Sequence, residues 1–227
     1  MATILLIRHG ESQSNAGKTT SDPECIELSP RGFQQADDVA REILESNISP
    51  DLFIFSPYLR AIQTAVPTRK LFPSVHTEDW PVQEFNYLSS WSKGNSTRED
   101  REPWKNAYWS ISDPRLTDSR ESESFEQFIK RAREVMIRLK KTKHHTLVMF
   151  SHEQFICALL WLSNRYFTPI SSKTMKEYKN FLMSNPIPNG AIVRVQFRNR
   201  WGRLHYEVIT SHLNKPELVA SSSSVWN

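Results

Sequence analysis

Short hydrophobic runs that stop abruptly at polar residues recur along the chain. Thr3–Ile7, Leu52–Phe55 and Thr146–Phe150 are almost entirely apolar, which predicts strands buried on both faces of a parallel sheet. Apolar residues three and four positions apart follow the first run and predict an amphipathic helix from Pro30 to about Leu44. A second helix, Tyr58 to about Leu71, should follow the second run. The β-α-β-α order favours an α/β fold, with a mostly parallel central sheet flanked by helices on both faces.

Both of these helices should begin with a serine followed by a proline. Ser29-Pro30 and Ser56-Pro57 match the preference for a serine N-cap and for a proline at the first helical position. The first helix should bury one apolar face, formed by Phe33, Ala36, Val39, Ala40, Ile43 and Leu44.

The second half of the chain continues the alternation of helices and strands. Ser124 and Gln127 resemble a capping box and predict a long helix that ends at about Lys141. Ser151-His152 follows the third apolar run and precedes an apolar helix to about Leu162. The remaining elements should be a helix at about Lys173–Met183 and two strands, Ala191–Phe197 and Leu204–Thr210, that pair around Asn199–Gly202.

The stretch from Trp80 to Arg120 has many charges and aromatic residues and few aliphatic ones. We interpret it as an irregular excursion with one short helix, Pro103–Ser110. Long irregular segments inside a compact domain tend to be functional, so residues 85–120 are expected to form an inserted lid. Its basic side chains would face an acidic substrate: Lys93, Arg98, Arg101 and Lys105. The alternative is that its aromatic residues only pack as a small satellite core.

Composition narrows the class of protein. A chain of 227 residues with 38% hydrophobic content fits one domain, residues 1–218, followed by a flexible tail, residues 219–227. The net charge of +4 is too small and too dispersed to indicate a nucleic-acid partner, and 11% aromatic residues exclude disorder. Only two cysteines, Cys25 and Cys157, suit a reducing compartment. No apolar run could cross a bilayer, so we expect a cytoplasmic protein with no membrane partner.

Arginine and histidine residues stand just after the predicted strands. Arg8 and His9 follow the first strand, Arg60 lies in the helical turn after the second, and His152 follows the third. Because the carboxyl ends of parallel strands open on one crevice, these four side chains should meet there. Guanidinium groups match phosphate geometry, and buried cations need an anion, so the expected ligand is a phosphate.

Five ordered segments resemble the histidine phosphatase superfamily, also called phosphoglycerate mutase-like. They are spread over residues 4–197 and therefore cover most of the chain. The segments are Arg8-His9-Gly10-Glu11-Ser12 with Asn15, Leu28–Ala36, Ser56–Ala65, Glu123-Ser124-Phe125 and Phe150-Ser151-His152.

The resemblance implies a role for each matching residue. His9 corresponds to the nucleophile that forms a covalent phosphohistidine, since a neutral imidazole is abundant at neutral pH. Arg8 and Arg60 correspond to the arginines that clamp the phosphoryl oxygens, and His152 to the second histidine that supports the transferring group. Asn15 corresponds to a polar contact to the phosphoryl group. No metal or other cofactor is expected, because arginines and histidines supply the positive charge.

Two carboxylates complete the candidate site. Glu84 matches the position of the family's acid, which protonates the leaving oxygen and later activates water. Glu153 is a departure, because the family usually has glycine directly after the second histidine. Its carboxylate should either lie outside the pocket or else tune His152 and narrow the site.

Three functions fit these residues. The first is a phosphatase that hydrolyses a small phosphomonoester through phospho-His9. The second is a phosphoglycerate mutase, which is less favoured because Ser14-Asn15-Ala16-Gly17 stands where the mutase pattern has a Trp-Asn pair. The third is a non-catalytic module that binds a phosphorylated ligand or RNA. Sugar phosphates, nucleotides, phosphoamino acids and phosphoproteins all remain candidate substrates.

Overall fold

The computed structural model describes residues 2–88, 95–197 and 204–214. Within these ranges six strands form one sheet in the order β3-β2-β4-β1-β5-β6. Their bounds are β1 Thr3–Arg8, β2 Leu52–Phe55, β3 His76–Asp79, β4 Thr146–Ser151, β5 Ile192–Phe197 and β6 Leu204–Ile209. The first four are parallel, whereas β5 and β6 join antiparallel at the β1 edge. The predicted mostly parallel α/β sheet is confirmed, and β3 is a strand that the apolar pattern did not reveal.

Helices cover both faces of this sheet. Their bounds are α1 Pro30–Glu45, α2 Leu59–Leu71, α3 Glu102–Ile111, α4 Phe125–Lys141, α5 Glu153–Leu162 and α6 Ser172–Ser184, followed by a short 3-10 helix, Ser211–Asn214. Each helix expected from the sequence is present within two residues of its predicted bounds. None of the helices within the described ranges is long and apolar enough to cross a membrane.

Alternate residues of each buried strand pack on opposite faces. In β1, Leu5 and Ile7 join the core beneath α1 and α2, while Ile4 and Leu6 join the core beneath α4, α5 and α6. The same alternation continues through β2 and β4, as the pleat of a strand requires. Burial of each such side chain contributes about 1.5–3 kcal/mol, so both faces hold the strand ends in place.

Helix α1 begins as predicted, and four residues of its predicted apolar face, Ala36, Val39, Ala40 and Ile43, are buried. The Ser29 side chain accepts a hydrogen bond from the Gly32 N–H, and Pro30 starts the helix. The prediction that Phe33 and Leu44 are buried is wrong, because they are 46% and 51% exposed. Gly32 takes a buried position instead, since α1 lies so close to the loop after β1 that a Cβ there would be 2.0 Å from the Glu11 carbonyl oxygen.

Helix α2 does not use the cap that the sequence suggested. It begins at Leu59, and its N-cap residue, Tyr58, makes no capping hydrogen bond through its side chain. The prediction that Ser56 caps this helix is therefore wrong, because its hydroxyl bonds to His152 instead. The capping box of Ser124 and Gln127 at the start of α4 is confirmed.

The aromatic excursion contributes to the main core. Tyr87, Tyr108 and Trp109 are buried together with α4 residues, so they do not form a separate satellite cluster. Thr20 and Ser96 form an isolated β-bridge that ties the excursion to the loop after β1. Lys93, the turn at residues 199–202 and the tail at residues 219–227 lie outside the described residues.

Candidate active site

The ends of three adjacent strands bring the predicted residues together. Strands β2, β4 and β1 are neighbours in the sheet, and Arg8 lies opposite Ser151 in the parallel register. The His9 N–H donates to the Ser151 carbonyl oxygen at 3.0 Å. As a result, the His9 and His152 rings lie with their centroids 5.1 Å apart.

His9 is buried and held in one tautomer. Its Nδ1 lies 2.7 Å from the Gly10 carbonyl oxygen, which can only accept, so Nδ1 carries the proton. Its Nε2 accepts a hydrogen bond from Arg60 Nε at 3.1 Å. Burial, and then the charges of Arg60 and Arg8, hold the His9 pKa well below its ordinary value. At neutral pH the ring is therefore an uncharged base whose lone pair is on Nε2.

Arg60 is a buried cation next to this nitrogen. Besides His9, it donates through Nη1 to the Pro23 carbonyl oxygen at 2.6 Å, and its guanidinium lies 4.9 Å from the centre of the Tyr58 ring. Burial lowers its pKa to about 10, partly offset by Glu84, so it stays charged at neutral pH. A buried guanidinium beside an uncharged histidine is suited to an incoming anion.

Arg8 approaches His9 from the end of β1. Its Nη1 donates to the Ile187 carbonyl oxygen and lies 3.1 Å from Glu153 Oε2. Its Nε is buried and has no hydrogen-bond partner in the part of the chain that the structure describes. A buried donor left unpaired is costly, which marks this edge of Arg8 as a place for a ligand acceptor.

His152 is fully buried, and its Nε2 lies 2.7 Å from Ser56 Oγ. Its Nδ1 has no partner among the described residues, while the edge of its ring contacts Tyr58. Burial is the main reason why its pKa is well below the ordinary value, followed by the charge of Arg60. Sequence reasoning missed the role of Ser56, although its place directly after β2 was a usable signal.

Glu84 lines the same cavity as His9 and both arginines. Its Oε1 accepts a hydrogen bond from the Phe85 N–H at 3.1 Å. Burial raises its pKa to about 7, an effect that Arg60 opposes and Glu153 reinforces. The carboxyl group can therefore hold or release a proton near neutral pH.

Asn15 is fixed by a network that identifies its amide orientation. Its Oδ1 accepts from the Ser12 N–H, the Ser12 hydroxyl and Asn189 Nδ2. This leaves the Asn15 Nδ2 group as its donor to a ligand. Asn189 also donates to the His9 carbonyl oxygen at 3.1 Å, a positioning contact between residues 180 positions apart that no local pattern indicated.

The cavity has a volume of about 150 Å³ and is strongly basic on the side of the excursion. Arg98, Arg101 and Lys105 of the excursion line it there, whereas the role of the excursion as a lid stays a prediction. Arg101 is buried and donates to the Ser14 hydroxyl at 2.6 Å and to the Ser96 carbonyl oxygen at 2.9 Å. The excursion is thereby attached to the loop that carries Asn15.

Glu153 lies inside the cavity rather than outside it. It is the first residue of α5 and forms an ion pair with Arg8. The cavity therefore contains two carboxylates, Glu84 and Glu153, among its basic side chains.

The chain is similar to known proteins over most of its length. A family model described as the histidine phosphatase superfamily (branch 1) matches residues 4–210. "Putative phosphoserine phosphatase 2" of Hydrogenobacter thermophilus is 26% identical over 172 residues, which cover 71% of this chain and 78% of that protein. A 2,3-bisphosphoglycerate-dependent phosphoglycerate mutase of Thermobifida fusca is 40% identical over 65 residues, which cover 29% of this chain and 26% of that one.

A solved structure shows the same fold at lower identity. The alpha-ribazole phosphatase of Shigella flexneri superimposes with a TM-score of 0.69 at 20% sequence identity. The match covers 92% of this chain and 96% of that one. The likeness therefore extends over the whole sheet and its helices.

Proposed function

This chain belongs to branch 1 of the histidine phosphatase superfamily, and on that premise we propose that it hydrolyses a phosphomonoester through a covalent phosphohistidine on His9. The observation that carries the proposal is the state of His9. Its proton is fixed on Nδ1 by the Gly10 carbonyl, and its uncharged Nε2 lies beside Arg60. An uncharged imidazole nitrogen next to a phosphate-binding cation is a ready nucleophile.

In the first step, His9 Nε2 attacks phosphorus as the bond between phosphorus and the ester oxygen breaks. The phosphoryl oxygens take over the Arg60 Nε–H that now donates to His9 Nε2, and they bind the guanidinium of Arg8 as well. The His152 Nδ1 and the Asn15 amide are further donors at this site. Glu84 transfers its proton to the departing oxygen, which leaves as an alcohol.

In the second step, the Glu84 carboxylate accepts a proton from a water molecule whose oxygen attacks phosphorus. The phosphorus–nitrogen bond breaks, and inorganic phosphate forms. His9 returns to its neutral state and Glu84 to its protonated form. A pKa of about 7 suits Glu84 to both proton transfers.

The charge of the cavity supports a small acidic substrate. Arg98, Arg101 and Lys105 line the same cavity as Arg8 and Arg60, so a second negative group of the substrate would meet further cations there. Phosphoserine, the substrate in the name of the H. thermophilus relative, carries such a group.

The proposal is tested by trapping the intermediate. Rapid quench with a 32P-labelled phosphomonoester should give an acid-labile, base-stable phosphoprotein, which His9→Ala abolishes and His145→Ala, a change at an exposed histidine, preserves. A label that survives acid, or that persists in His9→Ala, would contradict the proposal.

The T. fusca match favours a second candidate, phosphoglycerate mutase activity. The two activities differ in whether the phosphoryl group on His9 goes to water or to a sugar acid. Incubation with 3-phosphoglycerate and 2,3-bisphosphoglycerate, followed by 31P NMR, separates them. We expect inorganic phosphate to accumulate, whereas rapid formation of 2-phosphoglycerate without phosphate release would favour the mutase.

A further inference from the structure

Glu153 directly follows His152, and it lines the proposed phosphate cavity. A carboxylate is an unexpected group in a site for a phosphate dianion, because like charges repel. The inference drawn from it rests on the proposed function, in that it takes the cavity to bind phosphate.

Three contacts hold Glu153 against Arg8. The Glu153 Oε2 lies 3.1 Å from Arg8 Nη1, and Oε1 accepts a hydrogen bond from the Ile187 N–H at 3.2 Å. The same Nη1 of Arg8 donates to the Ile187 carbonyl oxygen. These groups form a closed ring, so the carboxylate stays at Arg8 without any ligand.

These contacts occupy only part of the Arg8 guanidinium. Glu153 occupies the Nη1 side, whereas the buried Nε has no partner within the described residues. A phosphate in the cavity is still attracted by Arg8, but Glu153 already neutralises part of the charge that attracts it. Glu153 therefore both holds Arg8 in place and reduces its attraction for an anion.

The position of Glu153 makes the repulsion unavoidable. Its carboxylate lies 3.1 Å from Nη1 of Arg8, so a phosphate that binds the same guanidinium lies within roughly 7 Å of it. At such a separation, a unit charge lowers the binding constant of a dianion by roughly sevenfold at the dielectric constant of water, and by more in a less polar cavity. This repulsion acts on free phosphate after hydrolysis as well as on the substrate.

We propose that Glu153 competes with phosphate for Arg8 and thereby weakens the retention of inorganic phosphate after hydrolysis. The remaining binding energy for a substrate comes from its other groups and from the basic residues of the excursion. Free phosphate lacks those groups, so the competition discriminates against the product. Product release limits the rate of many enzymes, and a weaker hold on phosphate removes one such limit.

The direct test is the affinity for inorganic phosphate, measured by titration calorimetry at pH 7 and constant ionic strength. Inhibition of para-nitrophenyl phosphate hydrolysis by inorganic phosphate gives an independent measure of the same affinity. Glu153→Gln removes the charge and keeps the size of the side chain, and Glu153→Gly restores the family's usual residue. Glu134→Gln, at an exposed position of α4, is the matched control. Circular dichroism and thermal melting establish that each variant is folded.

We expect both Glu153 variants to bind phosphate about tenfold more tightly and Glu134→Gln to bind it like the wild type. Unchanged or weaker binding in whichever Glu153 variant is folded would overturn the competition, and weaker binding would make Glu153 solely a positioning residue for Arg8. If phosphate binding in the Glu153 variants is unchanged or weaker while the wild type still forms the phosphoenzyme, only the competition is overturned and the proposed function stands. A wild type that neither binds phosphate nor becomes phosphorylated would overturn both.

Discussion

Glu84→Gln should slow the hydrolysis of alkyl phosphates far more than that of para-nitrophenyl phosphate. An alkoxide is a poor leaving group and needs a proton as it departs, whereas nitrophenolate leaves with little help. Glutamine keeps the size of the side chain and can still accept the Phe85 N–H, but it has no proton to give. The substitution therefore isolates the acid role from the structural one.

The raised pKa of Glu84 determines how much of the enzyme can act as an acid at neutral pH. With a pKa of about 7, half of the Glu84 side chains carry the proton at pH 7. A carboxyl with an ordinary pKa of 4.5 would carry it in only about 0.3% of molecules, so burial increases the acid form roughly 150-fold. General acid catalysis is worth about a hundredfold or more, and we expect Glu84→Gln to lose at least that factor on alkyl substrates.

The assay compares kcat/KM for an alkyl and an aryl phosphate between pH 5 and 9. For the alkyl substrate, the wild-type rate should fall tenfold per unit above about pH 7, because Glu84 loses its proton there, and this decline should be absent in Glu84→Gln. Glu153→Gln, at the other carboxylate of the cavity, should keep the wild-type ratio of alkyl to aryl rates. Equal slowing of both substrates by Glu84→Gln would refute the acid role of Glu84. A changed ratio of alkyl to aryl rates in Glu153→Gln would assign that role to Glu153.

Three further predictions concern the groups around His9. Arg60→Ala should lose about 2–4 kcal/mol of transition-state stabilisation and weaken vanadate inhibition in parallel, whereas Arg41→Ala on the surface of α1 should do neither. An unchanged vanadate affinity would place Arg60 outside the site. Ser56→Ala should lower kcat about tenfold with little change in KM, because a hydrogen bond worth about 1–1.5 kcal/mol to His152 is lost, and Ser56→Thr should restore most of the rate. An unaltered kcat would show that this contact is dispensable. Because the pKa of His152 is lowered in the folded protein, only the unfolded chain binds its proton as the pH falls below about 6.5. The free energy of unfolding should therefore fall as the pH is lowered. In urea titrations from pH 7 to 5, His152→Gln should reduce the dependence of this free energy on pH by up to about 1.4 kcal/mol per pH unit. An unchanged dependence would contradict the buried neutral state of His152.

Much of the fold could be predicted because its signals are local. A buried parallel strand is apolar along its whole length, and a capping box spans four residues, so β1, β2, β4 and α4 follow from short windows of sequence. The hydrophobic pattern did not predict strand β3, because this strand lies at the edge of the sheet and is largely exposed, so it does not need apolar side chains. The exposure of Phe33 could not be predicted either, because the burial of its neighbour Gly32 depends on the close approach of α1 to the loop after β1.

The meeting of Arg8, His9, Arg60 and His152 was also predictable. Each follows or nearly follows a strand, and the topology of a parallel sheet brings such positions to one edge. The resemblance to the superfamily added Glu84 and Asn15, which spacing alone did not single out, and the structure places both on the same cavity.

What the sequence by itself determined is the buried strands, the helices and the charged residues that follow those strands, because each of these depends on neighbours within a few positions. Only the tertiary structure decided that Ser56 bonds to His152 across 96 residues, that Asn189 holds the His9 carbonyl across 180, and that Glu153 pairs with Arg8. It also decided the charge states, since the low pKa of His9 and the raised pKa of Glu84 arise mainly from burial. Burial depends on how the loop after β1, the excursion and α5 close over the strand ends, and no local pattern in the chain contains that information.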